Sequence, residues 1–145
     1  ARELAVEAAL SQSKPKFDGP IALSSGVQHL VGEIDIDLAA ARATLSACAR
    51  RIDELLANLE GKTPALEVAH QVIRDYQCAK WIVNQNAIRI VGRAMDVAGG
   101  SAYMTRSELS RLYRDVRAGP FMQPFPPTEA REYVGRIALG LYPEG

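Results

Sequence analysis

The sequence predicts an all-α protein: an antiparallel up-and-down four-helix bundle with two long helices and a short C-terminal helix. Three observations carry that expectation. Apolar or small residues recur at alternating spacings of four and three along two long stretches, the signature of a heptad seam. The two stretches are separated only by Gly61-Lys62-Thr63-Pro64, a turn that suits an antiparallel helix pair. No segment reads as a convincing strand.

Each element follows from local chemistry. Ala1 to Gln12 reads as a helix that starts without a capping residue. The stretch from Ser13 to Gly26 holds two prolines and two glycines and reads as a loop. The first long helix has its seam at Val27, Val31, Ile34, Leu38, Ala41 and Leu45, and continues through Cys48, Ile52 and Leu55 to Leu59. At roughly 33 residues it would span about 50 Å. Ser24 or Ser25 can cap its start, and Gly61 marks its end. Thr63 is expected as N-cap of the second long helix, with Pro64 at its first position. That seam runs from Leu66 through Ala69, Ile73, Tyr76, Lys80 and Val83 to Val97. A helix over Arg106–Ala118 follows, then the proline-rich stretch GPFMQPFPPT, then a last helix over Glu129–Leu139 before Gly140.

Composition narrows the function classes. The 145 residues suit one domain spanning 1–145, and 48% hydrophobic residues suffice for a core. Seventeen basic and seventeen acidic residues give no net charge, which argues against a nucleic-acid binder. Cys48 and Cys78 fall within helical patterns and form no CxxC pair, so both read as small core residues of a reduced, cytoplasmic protein. Charged residues interrupt every apolar stretch before it could span a membrane. Two long helices alone cannot bury both their apolar stripes, so the shorter helices or another subunit must cover them.

Several residues stand out chemically. Lys80 sits on an otherwise apolar seam, as a snorkelling cation or as one facing a carboxylate or phosphate. His29 and His70 lack partners at metal-ligand spacing. Asn84-Gln85-Asn86 reads as a solvated face or as amides offered to an interface. Arg111, Arg114, Asp115 and Arg117 read as a charged helix face. Gly99-Gly100 ends the second long helix, either as a plain C-cap or as backbone opened to a phosphate.

The segment AMDVAGGSAYMTRSELSRLYRDVRAG, the loop KPKFDGPIALSSGVQH and the closing EYVGRIALG together resemble the C-terminal helical domain of the acyl-CoA dehydrogenase superfamily. That resemblance covers nearly the whole chain in order. It implies a fragment of a larger flavoenzyme that binds FAD at a subunit interface. The implied contacts to FAD come from Lys14, Phe17, Asp96, Gly99 and Gly100. Lys14 stands where the family has arginine, and Asp96 where it usually has glutamine, a carboxylate that repels a pyrophosphate. The family's glutamate base falls at Gln123, which cannot act as a base at neutral pH. The resemblance implies oxidation of acyl-CoA thioesters at Cα–Cβ with an electron-acceptor flavoprotein, in a homodimer or homotetramer. The loss of the glutamate leaves open a flavin monooxygenase or a silent subunit on the same fold. A purely structural helical assembly domain is the reading of another class.

Overall fold

The computed structural model describes residues 1–15, 18–122 and 124–143. Five α-helices are present among them: α1 (Arg2–Ser11), α2 (Ser25–Leu59), α3 (Leu66–Ala98), α4 (Glu108–Val116) and α5 (Pro127–Ala138). Short 3-10 turns cover Ile21–Leu23, Gly99–Tyr103 and Gly119–Phe121. No strand occurs among the described residues; Ser13 and Pro20 form one isolated bridge. The all-α expectation therefore holds, with the two long helices at 35 and 33 residues.

Ion pairs fix how α2 and α3 run. Glu33 meets Arg93 at 2.6 Å, Asp37 meets Arg89 at 3.0 Å, and Arg51 meets Asp75 at 2.8 Å. The residue numbers of each pair add to 126, so the helices are antiparallel and in constant register over this span. Asp37 also accepts from Arg93 at 2.5 Å, and Asn86 donates to the Asp37 carbonyl at 3.0 Å. Asn86 is thus buried at the helix–helix contact rather than on a solvated face.

The register explains where α3 begins. Glu60 and Gly61 adopt left-handed conformations with φ of 48° and 80°, and Lys62 N–H donates to Leu59 O. Leu59 then lies opposite the start of α3, and residues 62–65, outside either helix, bring the chain back. Thr63 and Pro64 do not start the helix. Ala65 (φ −59°, ψ 146°) precedes Leu66 and accepts from Ala69 N–H. Pro127 takes the first position of α5 instead, so that helix starts two residues earlier than its pattern suggested.

The core sits at one end of the hairpin. Ala5, Ala9, Ile34, Ala94, Val97 and Leu109 cluster where α1, α2, α3 and α4 converge. Arg2 holds α1 to α2 through Asp35. The end nearest the α2–α3 turn has only α5 packed on α3. There the predicted seam stays partly open: Leu45, Leu66, Ile73 and Tyr76 are exposed.

Candidate functional site

At the end of α3 the Gly-Gly turn has a conformation sequence alone did not give. Gly99 lies at φ 73°, ψ −161°. The usual glycine C-cap is left-handed helical, with ψ near +47°. Gly99 instead occupies a region that essentially only glycine tolerates. Gly100 is different. Its φ is not positive, and a Cβ placed there would meet nothing within 4 Å. The first glycine is demanded by the backbone; nothing among the described residues demands the second.

The loop between α1 and α2 is anchored beside this turn. Gln12 donates from Nε2 to Ala98 O at 3.3 Å and accepts Ile21 N–H at 2.9 Å. With the Ser13–Pro20 bridge, these contacts pinch the loop at its base. Lys14 rises from that base and is exposed. The structure therefore brings the Lys14 loop and the Gly99-Gly100 turn to one end of the molecule. Gln12, the residue that joins them, carried no sequence signal beyond ending a helix. Phe17 lies outside the described residues.

Electrostatics at this end are mixed. The C-terminal end of α3 carries partial negative charge. Asp96 is exposed and has no ion-pair partner among the described residues. An open glycine backbone with the base of the Lys14 loop anchored next to it fits a phosphate-bearing group, and Asp96 weakens that fit. The charged helix α4 contributes little: Arg111 pairs with Asp115 at 2.9 Å and Glu108 at 3.6 Å, and Arg114 donates to Ser110 at 3.0 Å. These are contacts within one helix, the Arg111 pairs on its exposed face and the Arg114 bond reaching buried Ser110. Arg117 is exposed beyond them.

A second cluster lies along the middle of α3. Half-buried Lys80 pairs with no carboxylate among the described residues. Its ammonium donates to the carbonyls of Met122 and, at 2.8 Å, Phe125. One turn further on, Asn84 donates to Lys80 O at 2.9 Å, and its amide occupies the space a Cβ on Gly119 would fill. Lys80 and Asn84 thus hold the chain on both sides of position 123. Gln123 itself lies outside the described residues.

The third cluster faces α5. His70 Nδ1 lies 2.6 Å from Tyr133 Oη, and burial pushes that phenol up, so it keeps its proton. His70 Nε2 is buried without a partner among the described residues. Two turns on, Gln77 is 1% exposed, and neither its Oε1 nor its Nε2 has a partner among the described residues. An unmet buried polar group costs about 1–3 kcal/mol. Gln77 also lines a cavity of about 300 Å³ between α3 and α5. Neither feature was legible in the sequence, because both depend on where α5 lands. Burial pushes the Cys48 and Cys78 thiols up, which suits neither for nucleophilic work at neutral pH. His29 is exposed on α2, and no group of three possible metal ligands occurs among the described residues.

Comparison with known proteins extends this geometry. The family described as "Acyl-CoA dehydrogenase, C-terminal domain" matches residues 1–123. L-evernosamine nitrososynthase of Micromonospora sp. is 38% identical over 117 residues, covering 81% of this chain and 27% of that protein. The amino sugar nitrososynthase DnmZ of Streptomyces peucetius is 33% identical over 138 residues, covering 95% of this chain and 33% of its own length. The crystal structure of KijD3 in complex with FMN and dTDP-3-amino-2,3,6-trideoxy-4-keto-3-methyl-D-glucose aligns with a TM-score of 0.85 and 34% identity, over 99% of this chain and 33% of that one. The chain thus spans about a third or less of these relatives.

Proposed function

Because this chain belongs to the acyl-CoA dehydrogenase C-terminal domain family, we propose that it is the flavin-contacting and oligomerisation part of a larger flavin-dependent monooxygenase that oxygenates the amino group of an amino sugar. One observation carries the choice between oxygenation and acyl-CoA oxidation. From Val116 to Thr128 the chain has no carboxylate, and Gln123 stands at the position of the family's base. Removing the α-proton of an acyl thioester needs a base whose conjugate acid has a pKa near neutrality, and a glutamine side chain has none. Oxygenating an amine needs no such carboxylate: the nitrogen lone pair is itself the nucleophile. The likeness to nitrososynthases supports the same reading.

The flavin, when bound, supplies two electrons and activates O₂, so that one oxygen atom reaches the amine nitrogen and the other leaves as water. The chain's own residues bind and position. Lys14 and the open backbone at Gly99-Gly100 would meet a phosphate of the cofactor, with Phe17 supporting the loop. Asp96 weakens that contact. Lys80 and Asn84 hold the loop that carries Gln123. The cofactor is proposed as FAD or FMN; FMN accompanies the KijD3 structure, and FAD is what the family signature implies. A second reading, acyl-CoA dehydrogenation, requires a base outside residues 116–128.

The test uses the full-length protein. Its flavin is released and identified by chromatography. The protein is then given O₂, a flavin reductant and a nucleotide-linked amino sugar, and the product is weighed by mass spectrometry. Gain of oxygen on nitrogen is the expected result. Anaerobic bleaching of the flavin by an acyl-CoA, with no amine product, would replace this reading by the dehydrogenase one. Absence of any flavin would leave the structural assembly domain.

A further inference from the structure

The chain has two cysteines, and the fold sets one against the other. Cys48 lies on α2 and Cys78 on α3. The ion pairs Glu33–Arg93, Asp37–Arg89 and Arg51–Asp75 hold these helices antiparallel, with facing residue numbers that add to 126. Cys48 and Cys78 add to the same number. The Arg51–Asp75 pair, at 2.8 Å, lies one helical turn away along each helix, so the register is fixed where the cysteines sit. Packed helices run about 8–10 Å apart, and each Cα stands about 2.3 Å from its axis. Facing Cα atoms therefore fall within the roughly 7 Å that a disulfide tolerates. Ala79, buried beside Cys78, presents no large side chain to hold the helices apart. Both cysteines are half-buried free thiols. Each feels the Asp75 carboxylate, and Cys78 also feels Cys48, which places the two sulfurs in one neighbourhood.

We propose that Cys48 and Cys78 are a redox pair: hydrogen peroxide joins them in a disulfide that ties α2 to α3, and thiol reductants release it. One thiolate attacks a peroxide oxygen, the O–O bond breaks, and a sulfenic acid and water form. The other sulfur then attacks the sulfenic sulfur, and the hydroxyl leaves as a second water. Two thiols are oxidised to one disulfide, one peroxide is reduced, and the two thiol protons end in the two waters. The bond falls at the end of the hairpin where only α5 packs on α3, so it stiffens the part of the bundle with the least core. Burial is the main reason both thiols titrate above their ordinary value; Asp75 adds to it, while Arg51 opposes it at Cys48 and Arg74 at Cys78. The pair is therefore slow to react at neutral pH and gains speed as pH rises.

The test uses the full-length protein, reduced with dithiothreitol, freed of it, and treated with hydrogen peroxide at pH 8. Remaining thiols are alkylated, and the tryptic peptides Ala43–Arg50 and Asp75–Lys80 are followed by mass spectrometry. The expected result is the two peptides joined by a disulfide and separated again by dithiothreitol. The link should form about tenfold faster at pH 8 than at pH 7. Oxidised wild type should melt at least about 2 °C above the reduced protein. Cys48→Ser and Cys78→Ser should show no such gap, and circular dichroism checks that both fold. The peptide map of wild type stands whether or not the variants fold. A link that forms only in urea overturns the proposal, as do two cysteines that stay open to alkylation or pass separately to sulfinic acid. So does a peroxide-induced gain in melting temperature that either serine variant keeps. These outcomes do not depend on the amine oxygenation reading, since no turnover is measured.

Discussion

The glycine pair at the end of α3 shows how two identical residues can answer to different demands. Gly99 sits at φ 73°, ψ −161°, so a side chain there is strained whatever the surroundings. Gly99→Ala should cost about 1–3 kcal/mol, read by chemical denaturation. Gly100 has open space where a Cβ would sit. Gly100→Ala should leave stability within about 1 kcal/mol of wild type, or raise it slightly by restricting the unfolded chain. The same variant should weaken flavin binding by the full-length protein, if the backbone there meets the cofactor. Unchanged flavin affinity in a stable Gly100→Ala protein would remove that contact from the reading. Lys80 carries a related lesson. Its place on an apolar seam marked it as unusual, but its partners are main-chain carbonyls more than forty residues away. No spacing rule could name them.

At the scale of elements, α2 and α3 are held in register by a ladder of arginines and carboxylates. Asp37 is its centre, with its side chain 15% exposed and two guanidiniums on it. The hydrogen bond from Arg89 is the main reason its carboxyl titrates below the ordinary range; burial opposes the shift, and Arg93 adds to it. A depressed folded value means the stabilisation is present above the unfolded pKa and is lost as pH falls through the folded one. Asp37→Asn should therefore cost about 1–2 kcal/mol at pH 7, and the gap to wild type should close in acid. Urea melts of both proteins between pH 7 and pH 3 would measure it. A gap that stays constant over that range would show that the carboxylate's charge is not what the ladder uses. Sequence placed the two helices and their hairpin turn, with helix ends shifted by about two residues. It did not place Thr63 or Pro64 correctly, because the start of α3 answers to its register against Leu59 rather than to local capping preference.

For the molecule as a whole, burial is uneven. α1 and α4 close the core at one end, while Leu45, Leu56, Leu66 and Ile73 stay exposed near the α2–α3 turn. Apolar surface of this kind favours covering by a second copy or by further protein. The full-length protein is proposed to be a homodimer or homotetramer, and sedimentation at tens of micromolar should show no monomer. A monomer under those conditions would mean that other parts of the same chain cover these residues. The helical class, the hairpin, the Gly-Gly helix end and the family signature were all legible in the sequence. Each is written in spacing between near neighbours, where periodicity and turn chemistry act. The tertiary structure alone decided that Asn86 is buried against Asp37, that Gln12 ties the Lys14 loop to the Gly-Gly turn, and that Gln77 is buried where α3 meets α5. Hydrogen bonding and burial depend on which distant segments meet, and a single sequence records its own pattern but not its partners.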